Sequence, residues 1–347
     1  MLPPTYAELI RYDGAVVQRD ERDRITYCAI QPRDVEVIRD IWRYKFLTST
    51  QLLELHWPGC APRLVRKRLA KLFDAGLVER FRPITRTGGS FPWTYQLGQE
   101  GHRVLREIGL IEPRSRYDQR KIYDYRYVLH EIHLNGWALA WRRLLKERLI
   151  EWHGETEIEP PPEARKHQLR LNDDRSVEGL RNERARLVRP DAILETQRRT
   201  SDGARSFLIE YDRTRRVDKN FEKFLRYDAL LCAWWWHTPL ARHRDPPFVV
   251  FVCQEEHQRS TFMQAADREL TGHLWHPSDG AYRHEYVGRD QILFAVEVDM
   301  HRAHMVAWRV PHFPPGHPGR DSQVSPRKVQ LPRGTRSSHE ALPAAAA

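Results

Sequence analysis

The sequence predicts an α/β (α+β) protein with a small helical module that includes a β-hairpin, a larger α/β domain and a tail. Helical spacing of apolar residues gives way to two strand-like segments around Gly88-Gly89. A second series of helices and strands follows from about Tyr123, and apolar periodicity stops after Pro311. A chain of 347 residues is long enough for two domains. We predict a leader segment at 1–31, a first domain at 32–112, a second domain at 122–311 and a disordered tail at 312–347.

The composition favours a polyanion as the partner. The chain has 57 Lys and Arg residues against 47 Asp and Glu residues, a formal net charge of +10, and clustered cations bind phosphates. The N-terminus lacks the charged start and apolar run of a secretory signal, and no stretch approaches ~18 uncharged apolar residues, so we expect no membrane span. Four cysteines without a CxxC pair argue against a zinc knuckle or a disulfide framework. The predicted location is the cytoplasm.

Three helices are predicted in the first domain. Asp34 is the predicted N-cap of the first helix, and Thr48 is the predicted N-cap of the second. The third helix begins at Ala61-Pro62, because proline fits a first turn, and ends at Gly76, which suits a left-handed C-terminal cap. The apolar residues that recur at helical spacing in the first helix are Val35, Ile38, Ile41 and Trp42.

The third helix has two different faces. The residues expected to pack inward are Val65, Leu69 and Leu72, together with Leu64 and Phe73. The opposite face is basic and carries Arg63, Arg66, Lys67 and Lys71. Three helices followed by a hairpin predict a winged helix-turn-helix, in which the third helix is the recognition helix and the hairpin is the wing.

Positive charge is concentrated in this region. Between residues 60 and 90, eight basic side chains stand against Asp74 and Glu79. The basic residues outside the helix face are Arg68, Arg80, Arg82 and Arg86. Such a helix fits the major groove, and Arg86 on the wing is expected to contact neighbouring phosphates. We therefore predict that the partner is double-stranded DNA; the alternative is a solvated basic face used for protein contact.

In the second domain, three carboxylates are expected to meet at one end of a hairpin. Asp191 follows Pro190 on the first strand, and Glu210 and Asp212 share a face of the second strand because side chains alternate with a period of two. A divalent cation relieves the repulsion between such like charges. The sequence thus predicts a Mg²⁺ site formed by these three residues, with the chemistry of phosphodiester hydrolysis. The alternative is a solvated rim paired with nearby arginines.

This arrangement resembles the nuclease superfamily named for its PD…(D/E)xK motif. Pro190-Asp191 is followed, after eighteen intervening residues, by Glu210-Tyr211-Asp212. The chain departs from the motif because Asp212 stands where a lysine is expected. The resemblance implies a three-layer restriction-endonuclease-like domain, and it implies that Lys223, or else Lys219, supplies the missing ammonium from the following helix.

The helix that precedes this core carries another candidate acid. In the superfamily the first helix contributes an acidic residue, so the resemblance makes Glu131 a candidate catalytic residue. His130 and His133 flank it but are three residues apart and do not match HExxH, so we do not expect a zinc site. Tyr227, four residues after Lys223, is expected to share its helix face and either to orient it or to touch the substrate.

The order of motifs along residues 33–260 resembles the replication-relaxation family of plasmids and integrative elements in Gram-positive bacteria. Besides the winged helix, the residues that carry the resemblance are His130-Glu131 with Asn135, Arg189-Pro190-Asp191, the segment 208–214, and Lys223 with Tyr227. The resemblance implies a role in the replication or relaxation of mobile-element DNA and a nuclease-like core.

We therefore predict a DNA-binding protein for replication, relaxation or processing of plasmid or mobile-element DNA, with Mg²⁺-dependent endonuclease activity as its enzymatic form. Two alternatives stay open. One is a non-catalytic replication accessory protein, and the other is a winged-helix transcriptional regulator that binds an operator as a symmetric dimer. The protein partners consistent with these functions are a second copy of the chain and replication or conjugation proteins.

Overall fold

The computed structural model describes residues 17–83, 91–117, 125–146, 149–159, 187–197, 204–212, 218–243, 245–270, 272–275, 283–302, 304, 306–320 and 326–332. The chain divides into two compact units, residues 1–139 and 140–347. Within the described ranges, none of the helices has both the length and the apolar composition that a membrane crossing requires. Each unit has its own sheet and its own buried core.

The first unit combines short helices with a four-stranded antiparallel sheet in the order β1-β3-β4-β2. Its elements are β1 (Val17–Arg19), α1 (Pro32–Tyr44), β2 (Leu47–Thr48), α2 (Ser49–His56), α3 (Pro62–Asp74), β3 (Val78–Pro83), β4 (Thr94–Leu97), α4 (Gln99–Glu107) and most of α5 (Tyr125–Leu145).

Local sequence determines most of the helix ends in this unit. The Thr48 side chain accepts a hydrogen bond from the Gln51 backbone N–H at 3.2 Å, which confirms the predicted N-cap of α2. Helix α3 begins at Pro62, and Gly76 has φ +72° just after the helix, as predicted. The predicted cap of α1 was wrong. Pro32 starts that helix earlier, so Asp34 is its third residue and accepts from the Gln31 backbone N–H at 2.7 Å.

The buried face of α3 follows the helical period. Val65, Leu69, Leu72 and Phe73 are buried. Leu64 was predicted to pack inward but is 65% exposed, because it lies about 100° around the helix from Val65. Trp42, which neighbours the buried Ile41 on α1, is 41% exposed for the same reason.

Two segments outside the predicted first domain join this unit. Strand β1, in the predicted leader segment, pairs with β3, and the Thr26 backbone N–H donates to the Asp74 carbonyl at 2.9 Å. Helix α5 begins beyond the predicted boundary at residue 112, yet its first half supplies core residues to the unit. The cluster consists of Phe46, Phe81, Phe91, Val128, Leu129 and Ile132. The boundary between units therefore falls within α5, at Leu139.

The second unit is built on a seven-stranded mixed sheet in the order β13-β12-β11-β8-β7-β6-β5. Its strands are β5 (Leu149–His153), β6 (Ala192–Gln197), β7 (Ala204–Tyr211), β8 (Phe248–Cys253), β9 (His273–Trp275), β10 (Arg283–Glu285), β11 (Ile292–Val296), β12 (Val306–Arg309) and β13 (Arg327–Gln330). Strands β9 and β10 form a separate pair. Strands β7, β8 and β11 are parallel, and the outer pairs of the large sheet are antiparallel.

Helices of the second unit pack against the central strands. They are α6 (Asp218–Ala229), α7 (Glu256–Glu269), α8 (Val287–Gln291) and α9 (Glu297–His301), with irregular helical turns at Leu230–Trp234, Trp235–His237 and Pro239–His243. Phe224 of α6 contacts Phe251 and Phe262 in the core, with a ring-centroid distance of 4.9 Å to Phe251. Phe207 points to the other face of the sheet from Leu208, and Trp141 of α5 packs on it at 5.0 Å.

The prediction that residues 312–347 are disordered was wrong for part of this segment. Strand β13 pairs with β12 at the edge of the large sheet. Arg320 hydrogen-bonds Asp267, and Arg327 hydrogen-bonds Asp290 at 2.7 Å. Backbone pairing and ion pairs hold this segment without the apolar periodicity on which the prediction of disorder relied. Residues 333–347 lie outside the described part of the chain.

Candidate functional site

The exposed face of α3 is a compact basic surface. Arg63, Arg66, Lys67 and Lys71 are exposed, on the side of the helix away from the buried stripe. Among the described residues, Arg63, Lys67 and Lys71 have no ion pair. We call these four residues the basic face of α3. Because no carboxylate in the described part of the chain pairs with them, a polyanion can bind them without first displacing such a partner.

The other cations of this region are engaged within the unit. Arg68, next to Lys67, donates from Nε to Asp34 at 2.9 Å, and Asp34 is 1% exposed. Arg80 pairs with Asp20 and lies over the Phe73 ring at 4.3 Å. Both arginines were counted among the eight basic side chains of residues 60–90, but in the structure each pairs with an aspartate of the same unit. Arg68 and Asp34 are 34 positions apart, so no local pattern indicated their pairing.

The predicted wing is only partly described. Strands β3 and β4 pair in antiparallel register, with Phe81 opposite Thr94. Arg86 and the Gly88-Gly89 turn lie outside the described residues. The predicted contact of Arg86 with phosphates therefore stays a prediction.

In the second unit, β6 and β7 bring two of the predicted carboxylates together. The strands are antiparallel with Ala192 opposite Ile209, and one further step in this register places Asp191 beside Glu210. The Asp191 carboxylate accepts a hydrogen bond from the Tyr211 backbone N–H at 2.7 Å. Glu210 is 2% exposed, and directly opposite residues of an antiparallel pair project to the same face.

Helix α6 completes this arrangement with a cation and a hydroxyl. Lys223 Nζ donates to Glu210 Oε2 at 2.5 Å, and Tyr227 Oη donates to Glu210 Oε1 at 2.5 Å. Both side chains hold the same carboxylate, and the role predicted for Tyr227, to orient Lys223 or to touch the substrate, stays a prediction. Lys219 was the second candidate cation, and its side chain lies outside the described part. We call Asp191, Glu210, Lys223 and Tyr227 the carboxylate–lysine cluster.

Asp212 lies just beyond the end of β7 and is 8% exposed. Its backbone N–H donates to the Val252 carbonyl at 3.2 Å, so the pairing of β7 with β8 continues through this residue. It lies at the edge of the cluster, where its negative charge acts on Lys223. At the position where the nuclease motif has a lysine, this chain thus has a buried carboxylate. The nearby lysine comes from helix α6.

The buried charged groups of the cluster shift one another's pKa values. Burial raises the pKa of Glu210 to about 7; Lys223 opposes this rise, and Asp191 adds to it. Burial lowers the pKa of Lys223, but the neighbouring carboxylates outweigh burial and hold the pKa above its usual range. In order of effect, these carboxylates are Glu210, Asp191 and Asp212. Lys223 therefore carries its charge at neutral pH, whereas Glu210 titrates close to neutral pH.

Asp191, Glu210 and Asp212 were predicted to hold Mg²⁺. No three His, Cys, Asp or Glu side chains within the described ranges are grouped so that they could hold a metal ion. The ammonium of Lys223 occupies the position beside Glu210 that a cation would take, and Tyr227 engages the other oxygen. Both oxygens of Glu210 are thus engaged by side chains of the protein itself, and binding of Mg²⁺ by Asp191, Glu210 and Asp212 stays a prediction.

Glu131, the further candidate acid, lies in the first unit. Its Oε1 is 3.4 Å from Lys45 Nζ, and its side chain is 7% exposed. Asn135, one turn later, donates from Nδ2 to the Tyr44 and Phe46 carbonyls at 2.8 Å each. These contacts give both residues a structural role in joining α5 to the end of α1, and a catalytic role for Glu131 stays a prediction.

The described residues thus define a mixed α/β protein that carries an exposed basic helix and, in a separate unit, a buried carboxylate–lysine cluster. The model of the replication-relaxation family matches residues 38–240. Because this match covers more than half of the chain, the protein belongs to the replication-relaxation family. No curated protein and no solved structure is significantly similar to it. Family membership indicates a role in replication-relaxation, and the matched range includes α3 and the carboxylate–lysine cluster.

Proposed function

We propose that this protein binds duplex DNA through the basic face of α3 and acts in the replication or relaxation of plasmid or mobile-element DNA. The observation that carries the proposal is the separation of charge on one helix. Arg63, Lys67 and Lys71 are exposed and have no ion pair among the described residues, whereas the opposite face is buried. Clustered unpaired cations gain affinity for DNA by releasing its counterions.

The surroundings of α3 support this proposal. Helices α1, α2 and α3 are followed by the antiparallel strands β3 and β4, which is the order of elements in a winged helix-turn-helix. Thr48 caps α2 and Gly76 ends α3, so both ends of the helix pair have local determinants. In such a module α3 lies in the major groove and the β3–β4 hairpin lies over adjacent phosphates.

The proposal is tested by measuring duplex affinity as a function of salt concentration. Each phosphate contact contributes a slope of roughly 0.9 in log affinity against log salt. If the basic face binds DNA, fluorescence anisotropy with a labelled duplex will give a slope of about 3 or steeper. A flat salt dependence, or no binding at low salt, would refute the proposal. Footprints at defined operator sequences would instead favour a transcriptional regulator.

A second candidate function is metal-dependent cleavage of DNA, which the position of Lys223 favours. Asp191 and Glu210 lie side by side on β6 and β7, and Lys223 of α6 donates to Glu210, which supports Lys223 as the candidate for the cation of the nuclease motif. In a nuclease of this kind Lys223 would offset the negative charge that develops at the scissile phosphate. The packing of α6 and α5 residues on opposite faces of the sheet is consistent with a three-layer domain.

Cleavage and accessory binding are separated by one assay. Supercoiled plasmid is incubated with the protein and Mg²⁺ or Mn²⁺, and the Asp191→Ala variant is the control. Metal-dependent cleavage that Asp191→Ala abolishes supports the nuclease function, and Lys223→Ala is then expected to suppress cleavage while leaving duplex affinity nearly intact. Binding without cleavage of plasmid, linear duplex or single strands supports a non-catalytic replication accessory protein.

A further inference from the structure

A surface cavity of about 190 Å³ lies in the first unit, away from any role assigned above. It is lined by the end of α1, strand β4, helix α4 and residues 115–117. Its volume is below the ~300–1,000 Å³ of pockets for drug-sized ligands. The cavity is therefore suited to a group the size of a single base rather than to a large cofactor.

Gln96 is the unpartnered polar side chain in the described lining of this cavity, and it also lines a second cavity with residues 19–22 and 79–81. It lies on β4, is 3% exposed, and neither its Oε1 nor its Nε2 has a hydrogen-bond partner among the described residues. A buried amide without a partner carries a cost in stability. An apolar side chain of the same shape would avoid this cost. An adjacent donor and acceptor are the groups with which Gln recognises the edge of a nucleobase.

The remainder of the lining supplies an aromatic surface and positive charge. Trp42 is 41% exposed and lies at the cavity wall, where a planar ring can stack on the indole. Arg116 is exposed and has no ion pair within the described ranges. Lys45 adds a second cation, although it is shared with Glu131 at 3.4 Å. No lining residue described for this cavity is acidic.

His102 completes the polar part of the wall. Its Nε2 is 3.4 Å from Ser115 Oγ, and its ring lies 5.8 Å from that of Tyr117. Burial lowers the pKa of His102, and the charge of Arg106 adds to this, so the ring is neutral at pH 7 and keeps one nitrogen as an acceptor.

We propose that this cavity binds one nucleotide, with the base edge on Gln96, the ring on Trp42 and the phosphate on Arg116 and Lys45. A simple anion would leave the amide and the indole unused, and an apolar ligand would leave Arg116 without a counter-charge. The nucleotide is either a free mononucleotide or an unpaired nucleotide of a DNA strand, since both present the same groups. The inference is independent of the basic face of α3.

Two measurements on the full chain distinguish these sources. Calorimetric titration with each of the four deoxynucleoside monophosphates is expected to show saturable binding at one site if the free nucleotide is the ligand. Anisotropy with a duplex that contains one unpaired nucleotide is expected to show at least tenfold tighter binding than with the fully paired duplex if the DNA is the source. Absence of both effects overturns the proposal.

Two variants test the assignment of residues. Gln96→Leu and Arg116→Ala are each expected to weaken the observed binding at least tenfold, whereas Arg114→Ala, an exposed arginine outside the cavity lining, is expected to leave it unchanged. Gln96→Leu is also expected to retain or raise the melting temperature, because it removes an unpartnered buried amide. Full binding by both variants overturns the proposal, and Arg116→Ala keeps the test valid if Gln96→Leu does not fold.

Discussion

The basic face of α3 and the carboxylate–lysine cluster differ in whether their charged side chains are exposed to solvent or buried with a partner. On α3, Lys67 and its exposed basic neighbours remain in water, where a charge without a partner costs little. In the cluster, Glu210 is 2% exposed and is held by Lys223 and Tyr227. An exposed unpaired cation is available to an external polyanion, whereas a buried charge is first a component of the fold.

Adjacent residues on α3 show the same contrast at close range. Lys67 is exposed, and Arg68, the next residue, donates to the buried Asp34 at 2.9 Å. Both side chains carry one positive charge, and their positions on the helix decide which of them reaches Asp34. The number of cations in a segment therefore overstates the number that can contact DNA.

The largest effect is expected from removing the basic face of α3. The triple variant Arg63→Ala, Lys67→Ala and Lys71→Ala loses up to three phosphate contacts, so duplex affinity falls and its log–log salt slope flattens by up to ~0.9 per lost contact. Anisotropy titrations across salt concentrations measure this slope. An unchanged slope would place the DNA-binding surface elsewhere and would break the comparison.

The next effect concerns Arg68, whose loss leaves Asp34 buried without its cation. Arg68→Ala is expected to lower the free energy of unfolding by about 1–3 kcal/mol. Lys67→Ala is the matched control and is expected to change it by less than about 0.5 kcal/mol while weakening duplex binding. Urea denaturation followed by circular dichroism gives both values. Equal losses of stability in the two variants would contradict the distinction between paired and free cations.

The cluster is expected to make stability depend on pH. The pKa of Glu210 is about 7 in the folded protein against an ordinary value of 4.5, so the folded state binds the proton more tightly. The stability from this group is fully present below pH 4.5 and is lost as the pH rises through about 7. Glu210→Gln is expected to remove this dependence, which amounts to about one proton per molecule.

The control for this measurement is Glu222→Gln, an exposed carboxylate of α6. Stability of the three proteins is measured between pH 4 and pH 8. If wild type and Glu210→Gln lose stability in parallel across this range, Glu210 is not the group that titrates.

The smallest effect is expected at Leu64. This residue is 65% exposed, so Leu64→Ala should change the free energy of unfolding by no more than about 0.5 kcal/mol. Leu69→Ala, five residues along the helix at a fully buried position, is the control and is expected to cost about 2–5 kcal/mol. A cost at Leu64 similar to that at Leu69 would mean that the exposed side of α3 is covered.

The sequence by itself determined the features that depend on near neighbours. The helical period separated the buried Leu69 from the exposed Lys67, Thr48 predicted a cap, and Gly76 predicted a left-handed helix end. These features follow from backbone geometry over a few residues, so they are encoded locally. The hairpin predicted from two neighbouring apolar segments likewise put Asp191 beside Glu210, because its strands follow each other in the chain.

Only the tertiary structure decided which distant groups meet. It paired Arg68 with Asp34 and placed both Lys223 and Tyr227 on Glu210. It also added β1 and β13 to sheet edges in segments whose sequences have no apolar period. Ion pairs and strand pairing depend on which backbone lies alongside, and that depends on the packing of residues far apart in the chain.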